Sequence, residues 1–366
     1  AVVLLGGDQL FFEHALLSEP LYTFLTAAGV YAACRCLDGG FVGWPLATGA
    51  LLGLAGTVRL AGVAVLLPVL AWLLLAVPAW QVRERLVRTG VAAVAGALVL
   101  FGYLFAAHDQ TGSWAFARNG GYTFYSRAAT FADCSKFDPP ARTEVLCEKR
   151  PPSQRPSPEW YVFFGPAVAH FGDPNGAPPR RNVDAVSDFG TTAALHQPLD
   201  WLDASASDFA RYFASHSFKG DRPSTRDYAR VVFTDPEWIA RNLPKAAGYW
   251  KGTHGLSVDK GLLGTLRDYE SATRIEGFPL ALLLVLALLA PLACSGRQRR
   301  AALLLAGTGV ALLVVPVVTD VYNGRFAVPS FGFVAAAAGL GAWGLAGAVR
   351  RRRAGGESRP TPQTAR

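Results

Sequence analysis

The sequence predicts an all-α integral membrane protein: a multi-pass helical bundle of about seven spans carrying a mostly helical extracytoplasmic loop domain. Three observations predict it. Apolar stretches recur at 20–37, 44–58, 61–77, 90–107, 277–294, 301–319 and 327–348, the lengths that suit helices in a hydrocarbon core roughly 30 Å thick. Arginine is concentrated in alternate gaps: Arg83, Arg85 and Arg88 after the third stretch, Arg297, Arg299 and Arg300 after the fifth, and Arg350, Arg351, Arg352 and Arg353 after the seventh. Such loops stay cytoplasmic under the positive-inside rule, so the one long gap, 108–276, faces the other side. That gap holds 20 Lys+Arg and 20 Asp+Glu, and the whole net charge of +8 therefore lies in the remainder of the chain.

The chain divides accordingly into a membrane region at 1–107, an extracytoplasmic domain at 108–276, three further spans within 277–348 and a basic tail at 349–366. It opens on AVVLL without Met, so residues 1–5 read as the end of an earlier helix whose beginning lies upstream. Segment 6–19 sets Asp8, Glu13, His14 and Glu19 among Phe11, Phe12 and Leu16, a pattern suited to a helix at an interface or lining a cavity. Only Arg59 and Leu60 separate the second and third stretches. The result is a tight hairpin whose tip arginine must face protein, water or an anion, because facing lipid is costly. Segment 78–89, PAWQVRERLVRT, reads as a cytoplasmic linker.

Within the outer domain, 108–150 mixes aromatic and β-branched residues with a cysteine loop. Segment 151–190, dense in Pro, Gly and Asp, reads as extended loop or partial disorder. Segment 193–274 turns helical, with apolar residues at Leu199, Leu202, Phe209, Tyr212 and Phe213 and a helix start at Asp235-Pro236-Glu237. The tail 349–366 is basic, then Pro/Thr-rich, and reads as disordered.

Composition excludes several function classes. Apolar residues make up 51% of the chain and mean hydropathy is +0.24, a mixture of greasy flanks and a wet insert. The basic excess sits beside spans, where it orients helices and meets anionic headgroups; nucleic acid is not a partner. Cys34, Cys36 and Cys294 fall at inner ends of spans, where a thiol acts as a small apolar group. Cys134 and Cys147 lie in the outer domain, either as two free thiols or as a disulfide, which an oxidising compartment favours. No metal site is readable: His170, His196, His216 and His254 lack the i, i+4 spacing of a helical zinc site. The chain contains no GxSxG, Walker A or GxGxxG motif.

Three groups could carry chemistry. Glu13, His14 and Glu19 place carboxylates and an imidazole near the outer surface, where they could act as base, ligand or hydroxyl acceptor; a merely wet polar face, or a helix start at Ser18-Glu19 before Pro20, explains them equally. Arg59 at the hairpin tip suits a bidentate oxyanion, phosphate above all, or else an internal pair with Glu19 or Asp320. The turn Asp320-Val321-Tyr322-Asn323-Gly324-Arg325 sets Tyr322 and Arg325 near the headgroup plane. An aromatic-belt turn with a snorkelling arginine is the alternative there.

Three stretches in order resemble one group of enzymes. EHALLSEPLYTFLTAAGVY, GALLGLAGTVRLAGVAVLLPVLAWLL and YNGRFAVPSFGF resemble segments of the GT-C superfamily of polyprenyl-phosphate-dependent glycosyltransferases, in its glycosyltransferase family 39, protein-mannosyltransferase-like and aminoarabinose-transferase-like branches. GYTFYSRAATFADCSKFDPP is similar to an outer-loop pattern of actinobacterial members. The resemblance implies a bacterial plasma-membrane enzyme with a cytoplasmic C-terminus. It implies transfer of a sugar from a polyprenyl-phosphate donor to a protein, lipid or glycan acceptor on the outer face, with membrane lipids as surroundings. Arg59, Tyr322 and Arg325 are then candidates for the lipid phosphate. The catalytic acidic motif of the family lies upstream of Ala1, and Glu13, His14 and Glu19 are the in-chain candidates for catalysis. No cofactor is implied with certainty; a divalent metal is possible chemistry. A transporter or flippase for a lipid-linked or anionic substrate is the alternative, and a sensor or assembly protein a third class.

Overall fold

The computed structural model describes residues 5–14, 18–39, 42–77, 81–112, 114, 116, 117, 119–172, 183–214 and 260–356. Among these residues every longer regular element is an α-helix. In chain order they are α1 (Gly7–His14), α2 (Glu19–Arg35), α3 (Gly43–Val58), α4 (Ala61–Ala76) and α5 (Val82–Thr111). Next come α6 (Gly120–Ala129), α7 (Pro158–Phe163), α8 (Pro166–Phe171), α9 (Val183–His196) and α10 (Pro198–Arg211). The last four are α11 (Lys260–Thr273), α12 (Phe278–Ala293), α13 (Gly296–Thr319) and α14 (Gly324–Gly356). A helix lies over each of the seven apolar stretches. Three are long and apolar enough to cross a membrane, over Val82–Gln110, Gly296–Thr319 and Gly324–Arg350; α3, α4 and α12 are shorter apolar helices.

Local chemistry accounts for three differences from the sequence reading. The linker at 78–89 is helical from Val82, because Glu84 and Arg88 pair one turn apart at 2.5 Å in the favourable acid-before-base order. The tail at 349–366 stays helical through Gly356, as Ala and Arg both favour helix; residues 357–366 lie outside the described residues. Part of the Pro-rich segment 151–190 folds into α7 and α8, each opened by a proline whose missing N–H costs nothing at a helix start. The helix start at Asp235-Pro236-Glu237, with His216 and His254, lies outside the described residues.

The chain forms two units, one of Ala1–Pro20, Gly102–Phe278 and Leu313–Val328, the other of Leu21–Phe101, Pro279–Leu312 and Pro329–Arg366. The second unit is built on close backbone approach. A Cβ on Gly49 of α3 would stand 1.9 Å from the Ala92 carbonyl oxygen of α5, and one on Gly53 would stand 2.9 Å from that of Gly96. These small residues four apart let two helices meet with little side chain between them. At the α3–α4 hairpin, a Cβ on Gly62 would meet the Gly56 nitrogen at 2.5 Å, so the Arg59-Leu60 tip closes only with glycine there. Leu52, Val65, Val69, Leu73 and Ala92 form the buried core of this unit, with Phe333 from α14. Asp38 joins the gap after α2 to the start of α13 by pairing with Arg297 at 2.7 Å. Its helices turn large apolar side chains outward: Leu98 is 68% and Phe101 66% exposed on α5.

In the first unit, α6 packs on α9 and α7. Tyr122, Tyr125, Phe137, Tyr161 and Phe189 are buried at their meeting, and Phe189 takes Tyr125 and Phe137 at ring distances of 5.8 and 5.6 Å. Such tilted pairs add to burial through the ring quadrupoles. Cys134 and Cys147 stand at disulfide distance, 2.02 Å between sulfurs, and close the loop that follows α6.

Candidate functional site

The turn between α13 and α14 is where the sequence candidates meet measurable geometry. Asn323 starts α14: its side-chain oxygen accepts from the Arg325 N–H at 3.1 Å and its carbonyl from the Phe326 N–H at 2.9 Å. This is ordinary N-capping by Asn, and it fixes the backbone of Arg325 at the first turn of the helix. Pro329 cannot donate to the Arg325 carbonyl one turn back, so the helical ladder is broken at this arginine.

Arg325 reaches Glu19 within the same unit. Its Nε stands 3.3 Å from Glu19 Oε1, with the Glu19 side chain 3% exposed and that of Arg325 27%. Glu19 is placed by the start of α2, where Pro20 takes an early helical position and Ser18 lies 3.5 Å from Glu19 Oε2. The Arg325 guanidinium also lies 5.2 Å over the Phe326 ring. Among the described residues nothing bonds its Nη1 and Nη2, the two nitrogens that can grip an oxyanion side by side. The carboxylate and the guanidinium thus form a part-buried ion pair, with no hydrogen bond between Nε and Oε1.

The remaining sequence candidates are distributed as follows. Tyr322 packs its ring on Tyr212, the residue that caps the end of α10, 5.0 Å between centroids. Glu13 is exposed on α1 and accepts from Gln9 Nε2 at 2.9 Å. His14 belongs to the same helix, and its side chain lies outside the described residues. Arg59, in the other unit, ends α3 in an extended conformation and donates its N–H to the Ala55 carbonyl at 2.9 Å. His170 and His196 are exposed, and the described residues contain no group of three or more His, Cys, Asp or Glu side chains arranged to hold a metal.

Sequence reasoning missed Arg127 and Asp208. The two form a buried ion pair, with side chains 2% and 8% exposed, joining α6 to α10. Arg127 Nε also donates to the Asp320 carbonyl at 3.2 Å, and Asp208 Oδ2 accepts from the Tyr322 N–H at 3.2 Å. Arg211 lies 3.5 Å from Asp208 Oδ1. Burial pulls the Arg127 guanidinium below its ordinary range, opposed by the charges of Asp208 and Asp320. Trp201 and Asp208 on α10 and Tyr212 at its C-terminal cap recur on one helical face, and that spacing was the available signal. Trp201 Nε1 donates to the Val318 carbonyl at 3.1 Å, so the whole face is fastened to residues 318–322.

Above this pair opens a groove of about 1160 Å³ between α6, the cysteine loop, the Pro151–Pro158 run and α10. Its walls carry both signs of charge. Glu148 accepts from Arg150 Nε and Nη2 at 3.0 and 2.5 Å and from the Tyr161 hydroxyl at 2.8 Å. Those bonds, Arg150 foremost, hold its carboxyl down to about 2. Arg155 is spent on backbone, donating to the Arg150 and Ala129 carbonyls at 2.8 and 3.1 Å. The chain matches no protein-family model, no curated protein and no solved structure.

Proposed function

We propose that this protein is a multi-pass membrane glycosyltransferase, with about seven spans, that moves a sugar from a polyprenyl-phosphate carrier to an acceptor on the outer face. The observation that carries the reading is the geometry of Arg325: Nε 3.3 Å from the buried Glu19 carboxylate, and Nη1 and Nη2 without a bonding partner among the described residues, at the start of a helix that follows a short turn. A guanidinium presented in this way suits a phosphate oxygen pair. In the reaction, an acceptor oxygen bonds to the anomeric carbon, the bond from that carbon to the phosphate oxygen breaks, and the lipid phosphate leaves. The acceptor proton passes to a carboxylate. Arg325 offsets the charge that grows on the departing phosphate, which is electrostatic stabilisation of the transition state. Tyr322 flanks the same phosphate.

Sidedness supports the reading. The segments expected outside, 1–19, 108–276 and 320–326, fall within one unit, and the arginine-rich gaps expected inside fall in the other. Exposed Leu98 and Phe101 on α5 suit contact with lipid.

The test uses the full-length protein in proteoliposomes with a panel of undecaprenyl-phosphate hexoses and pentoses. Arg325→Ala should lower transfer by about a hundredfold, the loss typical of one stabilising donor, with normal membrane insertion. Glu19→Gln should lower it less, by loosening the fork. Wild-type rates in Arg325→Ala would overturn the proposal.

A further inference from the structure

We infer that Arg127 and Asp208 are positioning residues for the Tyr322–Arg325 turn, setting where the donor phosphate is gripped; this rests on the proposed phosphate role of that turn. Helix α13 ends at Thr319, and the backbone groups just beyond a helix end have no helical partner. Two of them are satisfied here by buried charges from other elements. The Asp320 carbonyl accepts from Arg127 Nε at 3.2 Å, and the Tyr322 N–H donates to Asp208 Oδ2 at 3.2 Å. Arg127 then donates to Asp208, closing a ring of four residues in which the guanidinium supplies a donor to the turn and the carboxylate an acceptor.

Stability alone does not explain this choice. A buried ion pair is generally no better than well-packed apolar residues of equal volume. What it adds is direction: the guanidinium is planar, with Nε and Nη2 at a fixed angle, so Asp208 and the Asp320 carbonyl are held in one relation. Trp201 and Tyr212 extend the same fastening along α10, to the Val318 carbonyl and the Tyr322 ring. Arg325 lies three residues beyond Tyr322, on the helix that this turn starts. A turn fixed at Asp320 and Tyr322 delivers its fork to one place, and a loosened turn spreads it.

Lysine tests this directly. Arg127→Lys keeps the charge but cannot reach both Asp208 and the Asp320 carbonyl with a fixed fork. Hydrogen exchange of the full-length protein in nanodiscs should show the 318–326 backbone exchanging about tenfold faster in Arg127→Lys, with residues 122–131 and 184–194 unchanged. In the transfer assay the KM for the undecaprenyl-phosphate sugar should rise about tenfold while the acceptor KM stays fixed. Asp208→Asn, which retains an acceptor for the Tyr322 N–H, should give a smaller change in both readouts and provides the measurement if Arg127→Lys fails to fold. Unchanged exchange at 318–326 would overturn the inference, whatever the enzyme does. Loss of protection throughout 122–131 and 184–194 would also overturn it, since the pair would then be a general stabiliser. Faster exchange confined to 318–326 in a protein whose wild type binds no undecaprenyl phosphate would leave the positioning intact and refute the phosphate reading instead.

Discussion

Gly49 is the position where a single methyl group should do the most damage. Its missing Cβ would lie 1.9 Å from the Ala92 carbonyl oxygen and 2.7 Å from the carbonyl carbon, whereas carbon and oxygen normally approach to about 3.3 Å. Both offending atoms are backbone, so no rotamer change relieves the clash and α3 and α5 must separate by more than about 1 Å near this point. Gly53 is the milder case, its Cβ meeting the Gly96 oxygen at 2.9 Å and Cα at 3.0 Å. Gly90 is the control on α5, with nothing within 4 Å. We expect Gly49→Ala to destabilise by about 2–3 kcal/mol and Gly53→Ala by about 1 kcal/mol, from the usual cost of overpacking. Gly90→Ala should be neutral or stabilise by up to about 1 kcal/mol, through helix propensity. Unfolding of the purified protein by added SDS, followed by tryptophan fluorescence, reads the three side by side. Equal midpoints for Gly49→Ala and Gly90→Ala would refute the backbone-contact account of this helix pair.

Three further outcomes follow from the first unit. Asp208→Leu should destabilise it by about 3–5 kcal/mol by stranding the buried Arg127 charge, and adding Arg127→Met should recover much of the loss; chemical unfolding of both variants checks this. Replacing Cys134 and Cys147 together by Ala should cost about 3 kcal/mol, because the bridge closes a short loop with a separation of 13 residues. Thermal unfolding with and without dithiothreitol gives the same comparison in the unmodified protein. Glu148 is held down to about 2 in the folded state, below its unfolded value of about 4.3. Its stabilising contribution is therefore full above the unfolded value and disappears as pH falls towards about 2. Trp160, beside Arg150, should report that transition by fluorescence, and Glu148→Gln should flatten the profile between those limits.

The helical class and the locations of the apolar helices were legible because they depend on local pattern. A run of Leu, Val and Ala announces itself without reference to anything distant, and α2, α3, α4, α5, α12, α13 and α14 cover the seven expected stretches. Helix ends were less legible. The Glu84–Arg88 pair and the Ala/Arg composition after Val349 extended α5 and α14 beyond their apolar parts. The proline-rich 151–190 was misread in part because Pro at a helix start and Pro in a loop look alike in sequence.

What the sequence by itself determined was chemistry with a local cause: apolar length, charge asymmetry, the Asn323-Gly324 helix start, and a cysteine pair in a wet segment. Only the tertiary structure decided that Glu19 partners Arg325, at a separation in the chain no periodicity reports, and that Arg127 and Asp208 hold the turn between them. The physical reason is that a buried charge is stabilised by whatever complementary group lies within bonding distance in space. Nothing in the neighbouring residues of Arg127 distinguishes it from the many arginines that face water.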